Sequence, residues 1–291
     1  MTIAKTDLIE GMAKGMAVLE SFDTERQRLN ATLTAGRTGL TRAAARRHLL
    51  TLTHLGYLET DGSYFWLSSK VLRFSGSYLA SARLPRALQP SLIRLAVQAR
   101  ESFSAVVLDG DEVVIVARSG DDRNFSGTGG GRVTAYGLHL GARLPTHATS
   151  TGRVLLAAKT KTAFNDWMKG RELQRMTPLT TVDVRSFRLL IERTRQDDFC
   201  LASEEHELGV HALAVPLRNS KGVTVAALNA VASHTRMSAT VMQRDLLPIL
   251  LEAARELGPL LRALRPCLSF WGAGRTPARP CPVNGEWSLA I

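Results

Sequence analysis

Thr38-Gly-Leu-Thr-Arg-Ala-Ala-Ala-Arg-Arg-His-Leu-Leu-Thr-Leu-Thr-His-Leu-Gly-Tyr-Leu58 is the stretch that decides how this chain folds. A Thr-Gly-Leu turn leads into Thr41, whose hydroxyl is placed to accept from the free N–H groups of a helix start. Ala45, Leu49 and Leu52 then recur at helical spacing, while Arg42, Arg46 and Arg47 crowd the other side. Gly56 suits the left-handed position that ends a helix. Between Glu25 and Glu59 there is no acidic residue. A short basic helix after a tight Gly turn is what a helix-turn-helix needs to bring a recognition helix into a DNA groove. An ordinary amphipathic helix with a solvated basic face would share this pattern, so the stretch alone leaves both open.

Its flanks favour the first. Residues 14–22 predict a helix offering Met16, Val18, Leu19 and Phe22 to a core. Asn30 is a cap for a second helix through Arg37, and the third runs over residues 41–55. Residues 57–67 alternate around Asp61-Gly62, a strong hairpin signal. Three helices closed by a hairpin make a winged helix-turn-helix. On that arrangement Arg42, Arg46 and Arg47 meet base edges or phosphates of double-stranded DNA, and Thr41 meets a phosphate at the helix start.

Residues 71–82 predict a linker helix, and residues 88–101 a further helix with Leu88, Leu92 and Leu95 on its apolar side and Pro90 in its first turn. Residues 104–118 are two β-rich runs joined by Asp109-Gly110-Asp111. A Gly-rich insert at 126–131, a strand over 132–140 and helical segments at 149–158, 164–168 and 184–196 follow. Strands at 210–217 and 223–231 precede a final helix over 242–264, which Pro248 and Pro259 kink or divide. The mixture indicates an α+β domain around an antiparallel sheet. The expected organisation is a DNA-binding domain at 1–68, a linker helix at 69–84, a sensor-like domain at 85–264 and a disordered tail at 265–291, where Pro and Gly preclude long regular elements.

Composition narrows the functions. With 291 residues the chain has room for two cores, and its net charge of +11 favours a polyanionic partner. The first residues lack a signal-peptide core, and no apolar run reaches membrane-span length. Three scattered cysteines fit a reducing cytoplasm. The Gly-rich insert lacks the Lys-Ser/Thr of a phosphate loop, and Glu204-Glu205-His206-Glu207 is not a His-Glu-x-x-His site; it is expected to be a solvated acidic turn. With no nucleophile elbow and no paired Cys/His, no cofactor, no metal and no enzymatic activity are expected. An enzyme would need an acid–base pair that the sequence does not supply, whereas a sensor acting through protein contacts would need only the second domain. Residues 141–157 are more specific. Thr and Ser hydroxyls open onto a helix beginning near Ser150, with His147 and Arg143 nearby, an arrangement suited to a small carboxylate. A plainly capped helix would share this pattern too.

Together these segments resemble the isocitrate-lyase-regulator (IclR) family of bacterial transcription factors. The similarity lies in residues 14–22, 38–58, 141–157 and 225–229, in Glu205-x-Glu-Leu-Gly-Val210 and in Val215-Pro-Leu. Residues 41–47 and 144–150 are similar to the branch that governs protocatechuate and 4-hydroxybenzoate catabolism. The resemblance implies a winged helix-turn-helix, a GAF-like α/β effector domain, and dimers, often paired into tetramers, on inverted-repeat operators. It implies an effector between the helix start and two strands, facing Thr149, Ser150 and Thr151, with Ala212 and Asn229 across the pocket. A hydroxylated aromatic acid would then meet His147 and Arg143 as positive groups and Val210, Ala212 and Val231 as an apolar wall. The chain departs from the family at Ala31, Thr34 and Gly36 of the second helix, at the 126–131 insert and in the tail.

Overall fold

The computed structural model describes residues 4–23, 26–119 and 139–261. The 126–131 insert, residues 132–138 of the expected strand and the tail from 265 lie outside the described residues, and residues 139–140 are bend and turn, not strand. The chain divides into two compact units, one covering residues 1–80 and the other beginning at Ser81.

In the first unit, α1 (Glu10–Leu19), α2 (Ala31–Thr38) and α3 (Arg42–His54) precede a hairpin of β1 (Leu58–Thr60) and β2 (Phe65–Leu67). The first helix starts at Glu10 rather than at residue 14, its extra turn supported by the Glu10–Lys14 pair at 2.9 Å. It also stops earlier, at Leu19, and Ser21 Oγ closes onto the Val18 carbonyl at 2.7 Å. Asn30 Oδ1 accepts from the N–H groups of Thr32 and Leu33 at 3.0 and 2.9 Å. Gly39, at φ 71°, makes the turn, and Thr41 Oγ1 accepts from Ala44 N–H at 3.2 Å. Val18, Phe22, Leu29, Leu49, Leu52, Leu58 and Phe65 form the core. Asp61 Oδ1 holds the hairpin turn by accepting from Ser63 and Tyr64 at 3.0 and 2.8 Å. The 3-10 turn Ser69–Val71 leads into α4 (Leu72–Ser81), whose Phe74 stacks on Tyr57.

The second helix carries two removable weaknesses. Thr34 is fully buried and its Oγ1 has no hydrogen-bond partner among the described residues. Gly36 is exposed, and a Cβ there would meet nothing within 4 Å. Valine at 34 removes an unsatisfied hydroxyl at constant shape, worth about 1 kcal/mol. Alanine at 36 adds about 1 kcal/mol of helix propensity. A Thr34→Val, Gly36→Ala variant is therefore expected to raise the urea midpoint of this unit; an unchanged or lowered midpoint would refute the assignment.

The second unit opens with α5 (Arg83–Ala99), which begins earlier than the expected 88 because Pro85 sits in its first turn instead of ending a preceding helix. Pro90 is inside this helix and Pro248 inside α9 (Ala239–Leu257). Both prolines are exposed, so the carbonyls they leave free, of Arg86 and Arg244, lie on wet faces. After α9 a 3-10 turn, Gly258–Leu261, takes up Pro259. Between these helices, β3 (Ser102–Asp109), β4 (Glu112–Arg118), β5 (Arg143–Pro145), β6 (Cys200–Ser203), β7 (Val210–Arg218) and β8 (Thr224–Ser233) form one antiparallel sheet in the order β5-β4-β3-β8-β7-β6. The two short edge strands, β5 and β6, have no counterpart in the sequence expectation.

Sheet alternation splits the core in two. Phe103, Val107, Leu213, Val215 and Leu228 face α5 and α9, packing on Leu88, Leu92, Leu95, Leu246 and Leu250. Val106, Ile115, Ala214 and Ala227 face the opposite way, toward α6 (Ser150–Ala157). Behind α6, Leu156 packs with Phe164 and Met168 of α7 (Lys161–Met168) and with Phe187 and Ile191 of α8 (Val184–Asp197). No helix among the described residues is long and apolar enough to cross a membrane.

Candidate functional site

In the first unit, Arg42, Arg46 and Arg47 are exposed on α3, and none of their guanidinium groups has an ion-pair partner among the described residues. Neighbouring cations are engaged. Arg37 pairs with Asp23; Arg28 pairs with Asp61 and lies 4.7 Å over the Trp66 ring; Lys70 donates to the Leu55 carbonyl at 2.7 Å. Uncompensated positive charge therefore concentrates on the exposed start and middle of α3. Such a face is built for a polyanion.

In the second unit a cavity lies between the start of α6 and the sheet. Every strand of that sheet contributes: Ser104, Val106, Ile115, Leu144, Ala202, Val210, Ala212, Asn229 and Val231. Ala148, Thr149, Ser150 and Thr151 line the helix side, and Glu205, His206 and Glu207 of the β6–β7 turn close the rest. Thr149 caps α6, its Oγ1 accepting from Gly152 N–H at 3.2 Å. Ser150 is 1% exposed and its Oγ has no partner among the described residues. The first-turn N–H groups of Ser150 and Thr151 have no acceptor within the helix. A hydroxyl, two N–H groups and the positive end of the helix dipole thus share the cavity with the apolar sheet residues Val106, Ile115, Ala212 and Val231. On the sheet, Ser104 Oγ donates to Asn229 Oδ1 at 2.5 Å, which leaves the amide nitrogen to act as a donor.

Seven of the nine expected contacts, Thr149, Ser150, Thr151, Val210, Ala212, Asn229 and Val231, line this one cavity. His147 does not: its ring is buried and its Nε2 donates to the Gln174 carbonyl at 2.7 Å. Burial lowers the His147 pKa against the pull of that bond, which favours the uncharged ring. Arg143 is also elsewhere, on edge strand β5, half-exposed and bonded to Asp109 and Glu112 at 2.7 and 2.6 Å. The helix start, not a cation, is the electropositive feature of the cavity.

The Glu204–Glu207 segment corrects a second expectation, that of a solvated turn. Arg153, fully buried on α6, donates through both terminal nitrogens to the two Glu205 oxygens at 2.5 Å and through Nε to the His147 carbonyl at 2.9 Å. Thr181 N–H adds a bond to Glu205 at 2.9 Å. Burial alone would push the Glu205 carboxyl up; the guanidinium and that N–H more than reverse it, holding the carboxyl below the usual range. Thr177 and Thr180 hydroxyls donate to the Glu204 and Glu205 carbonyls at 2.7 and 2.6 Å. His206 and Glu207 project from this pinned turn, and burial lowers the pKa of the first and raises that of the second. Ser104, His206 and Glu207 were not anticipated from sequence. Alternation along β3 would have found Ser104, whereas His206 and Glu207 lie in an acidic turn that nothing local in the sequence directs toward the cavity.

Residues 76–258 match the family described as bacterial transcriptional regulator IclR C-terminal, and residues 11–62 match the IclR helix-turn-helix domain. The chain is 48% identical over 259 residues to a Pca operon regulatory protein of Acinetobacter baylyi, covering 89% of this chain and 91% of that protein. It is 48% identical over 261 residues to the p-hydroxybenzoate hydroxylase transcriptional activator of the same organism, covering 89% and 94% respectively. Among solved structures it resembles the inducer-binding domain of a double mutant of the PobR transcription factor from Acinetobacter, in complex with 3-hydroxybenzoic acid. That match has a TM-score of 0.56 at 43% identity, over 60% of this chain and 98% of the other.

Proposed function

The chain belongs to the IclR family of bacterial transcriptional regulators, and we propose that it controls an aromatic-catabolism operon in response to a hydroxylated aromatic acid. It is a regulator and not an enzyme. The observation that carries the effector class is the cavity itself: an unpartnered Ser150 hydroxyl at a helix start, set against an apolar wall of Val106, Ile115, Ala212 and Val231. A carboxylate takes the helix start, and a flat ring takes the wall. Asn229, its carbonyl committed to Ser104, donates to the ligand. Protocatechuate and 4-hydroxybenzoate have this shape and charge. The protein works in the cytoplasm, where it reaches DNA.

The operator is contacted by Arg42, Arg46 and Arg47, with Thr41 at a phosphate beside the start of α3. Each Arg that pairs with a base edge contributes about 1–3 kcal/mol and fixes one operator position; each phosphate contact adds to the salt slope. An Arg42→Ala, Arg46→Ala variant is expected to bind its operator at least tenfold more weakly in a gel-shift titration. Full affinity in that variant would remove α3 from the interface.

One recognition helix reads only a few base pairs, so the functional species is a homodimer, or paired dimers, on an inverted repeat. Ile9, Met12 and Met16 form an exposed apolar stripe along α1, and Leu72 is exposed on α4. These faces supply the contact between protomers. Met12→Glu is expected to shift the light-scattering mass toward the monomer at micromolar concentration; a wild-type monomer on operator DNA would overturn the assignment.

A further inference from the structure

Five buried side-chain atoms lack a hydrogen-bond partner among the described residues: Thr34 Oγ1, Thr146 Oγ1, Ser150 Oγ, His206 Nδ1 and His211 Nδ1. Folded proteins keep few such atoms, because each forfeits its hydration without compensation. Of the five residues, only Ser150 and His206 line the cavity of the second unit. Two unsatisfied groups in one cavity indicate that their partners arrive with the ligand. They differ in kind. Ser150 belongs to an electropositive helix start. His206 stands on the β6–β7 turn, and its imidazole makes no hydrogen bond among the described residues.

We propose that His206 recognises the ring hydroxyl of the aromatic acid whose carboxylate is held at the start of α6. The inference rests on the effector class proposed above and adds the residue that distinguishes a hydroxylated ring from a bare one. Burial lowers the pKa of this imidazole and so favours its neutral form, which offers one donor and one acceptor. A phenolic hydroxyl is the matching partner, able to give a proton to one nitrogen or accept from the other. Adjacent polar groups fit that task less well. Asn229 Oδ1 already accepts from Ser104, and an ionised Glu207 would repel an anionic ligand. The His206 backbone is also fixed before any ligand enters. Glu205 is clamped by Arg153 and Thr181, the Glu204 and Glu205 carbonyls by Thr177 and Thr180, and Glu204 Oε1 accepts from Gly209 N–H at 2.7 Å. A preorganised polar group loses little on binding and gives orientation in return.

The test is calorimetry on the full chain with benzoate, 3-hydroxybenzoate, 4-hydroxybenzoate and protocatechuate. The wild type is expected to bind at least one hydroxylated acid more tightly than benzoate. His206→Phe should weaken that acid about tenfold or more while leaving benzoate within a factor of about three. His206→Asn, which keeps a donor and an acceptor near Nδ1, should retain part of the preference, and it carries the test if the Phe variant does not fold. Ser150→Ala should weaken all four ligands by a similar factor. Equal losses for benzoate and the hydroxylated acids on changing His206, no loss at all, or a wild type with no preference would overturn the role of His206 and leave the effector class standing. A wild type that binds none of the four would overturn both.

Discussion

Arg153→Leu is expected to destabilise the second unit by about 3–5 kcal/mol, because it leaves the carboxylate of Glu205 buried without its counter-charge. The Glu205 side chain is only 11% exposed, and Arg153 is its one ionic partner among the described residues. Two consequences separate this from ordinary core damage. Glu205 has a depressed pKa in the folded chain, so its contribution is present above the unfolded value of about 4.5 and is lost as pH falls through the folded value. In the leucine variant, burial is opposed only by the Thr181 N–H and the carboxyl rises, so stability should instead fall as pH rises through that raised value. Urea unfolding at pH 5 and pH 7 should therefore leave the Glu205 contribution nearly constant in the wild type, while the deficit of the variant relative to wild type grows from pH 5 to pH 7. Adding Glu205→Gln should recover part of the loss by removing the stranded charge. A double variant no better than Arg153→Leu would mean that packing, and not charge, is what Arg153 supplies. The same pair fixes the turn bearing His206, so effector affinity should drop along with stability.

The features legible in the sequence were those settled by neighbours on the chain. Asn30 and Thr41 cap helices that start at the next residue, and Asp61-Gly62 turns a hairpin within a few positions. Ser150 and Asn229 were legible through a motif whose order along the chain reports a shared cavity. What escaped depends on contacts made across long stretches. Strand β6 has four residues and exists because β7 offers it an edge, and β5 has three and pairs only with β4. The acidic turn looked solvated because its counter-charge, Arg153, lies 52 positions earlier. His147 and Arg143 stand next to the helix start in sequence, yet one points to Gln174 and the other to the surface carboxylates of β3 and β4. Proximity along a loop says little about direction, since side chains turn toward whichever acceptor the fold brings near.

Gly152→Ala is expected to disable the effector site and to cost about 3 kcal/mol or more, the reverse of what helix propensity predicts. A Cβ at 152 would lie 2.0 Å from the carbonyl oxygen of Thr146 and 2.6 Å from its Cα and carbonyl carbon. Those are backbone atoms of the 3-10 turn Thr146–Ala148, which doubles back over the first turn of α6. The turn has little room to withdraw. Thr149 Oγ1 accepts from Gly152 N–H and sits 3.2 Å from the Pro145 carbonyl, and the His147 carbonyl accepts from buried Arg153. Displacing it would carry Thr149, Ser150 and Thr151 away from the cavity and open the helix start proposed to take the carboxylate. The same substitution at Gly36 has open space around it and should stabilise. Two glycines in two helices thus predict opposite signs for one chemical change, decided by what stands within 3 Å. Urea midpoints of the two single variants, with 4-hydroxybenzoate calorimetry on each, test this directly. A Gly152→Ala variant with wild-type midpoint and affinity would mean that the Thr146 turn does not pack on α6 as described.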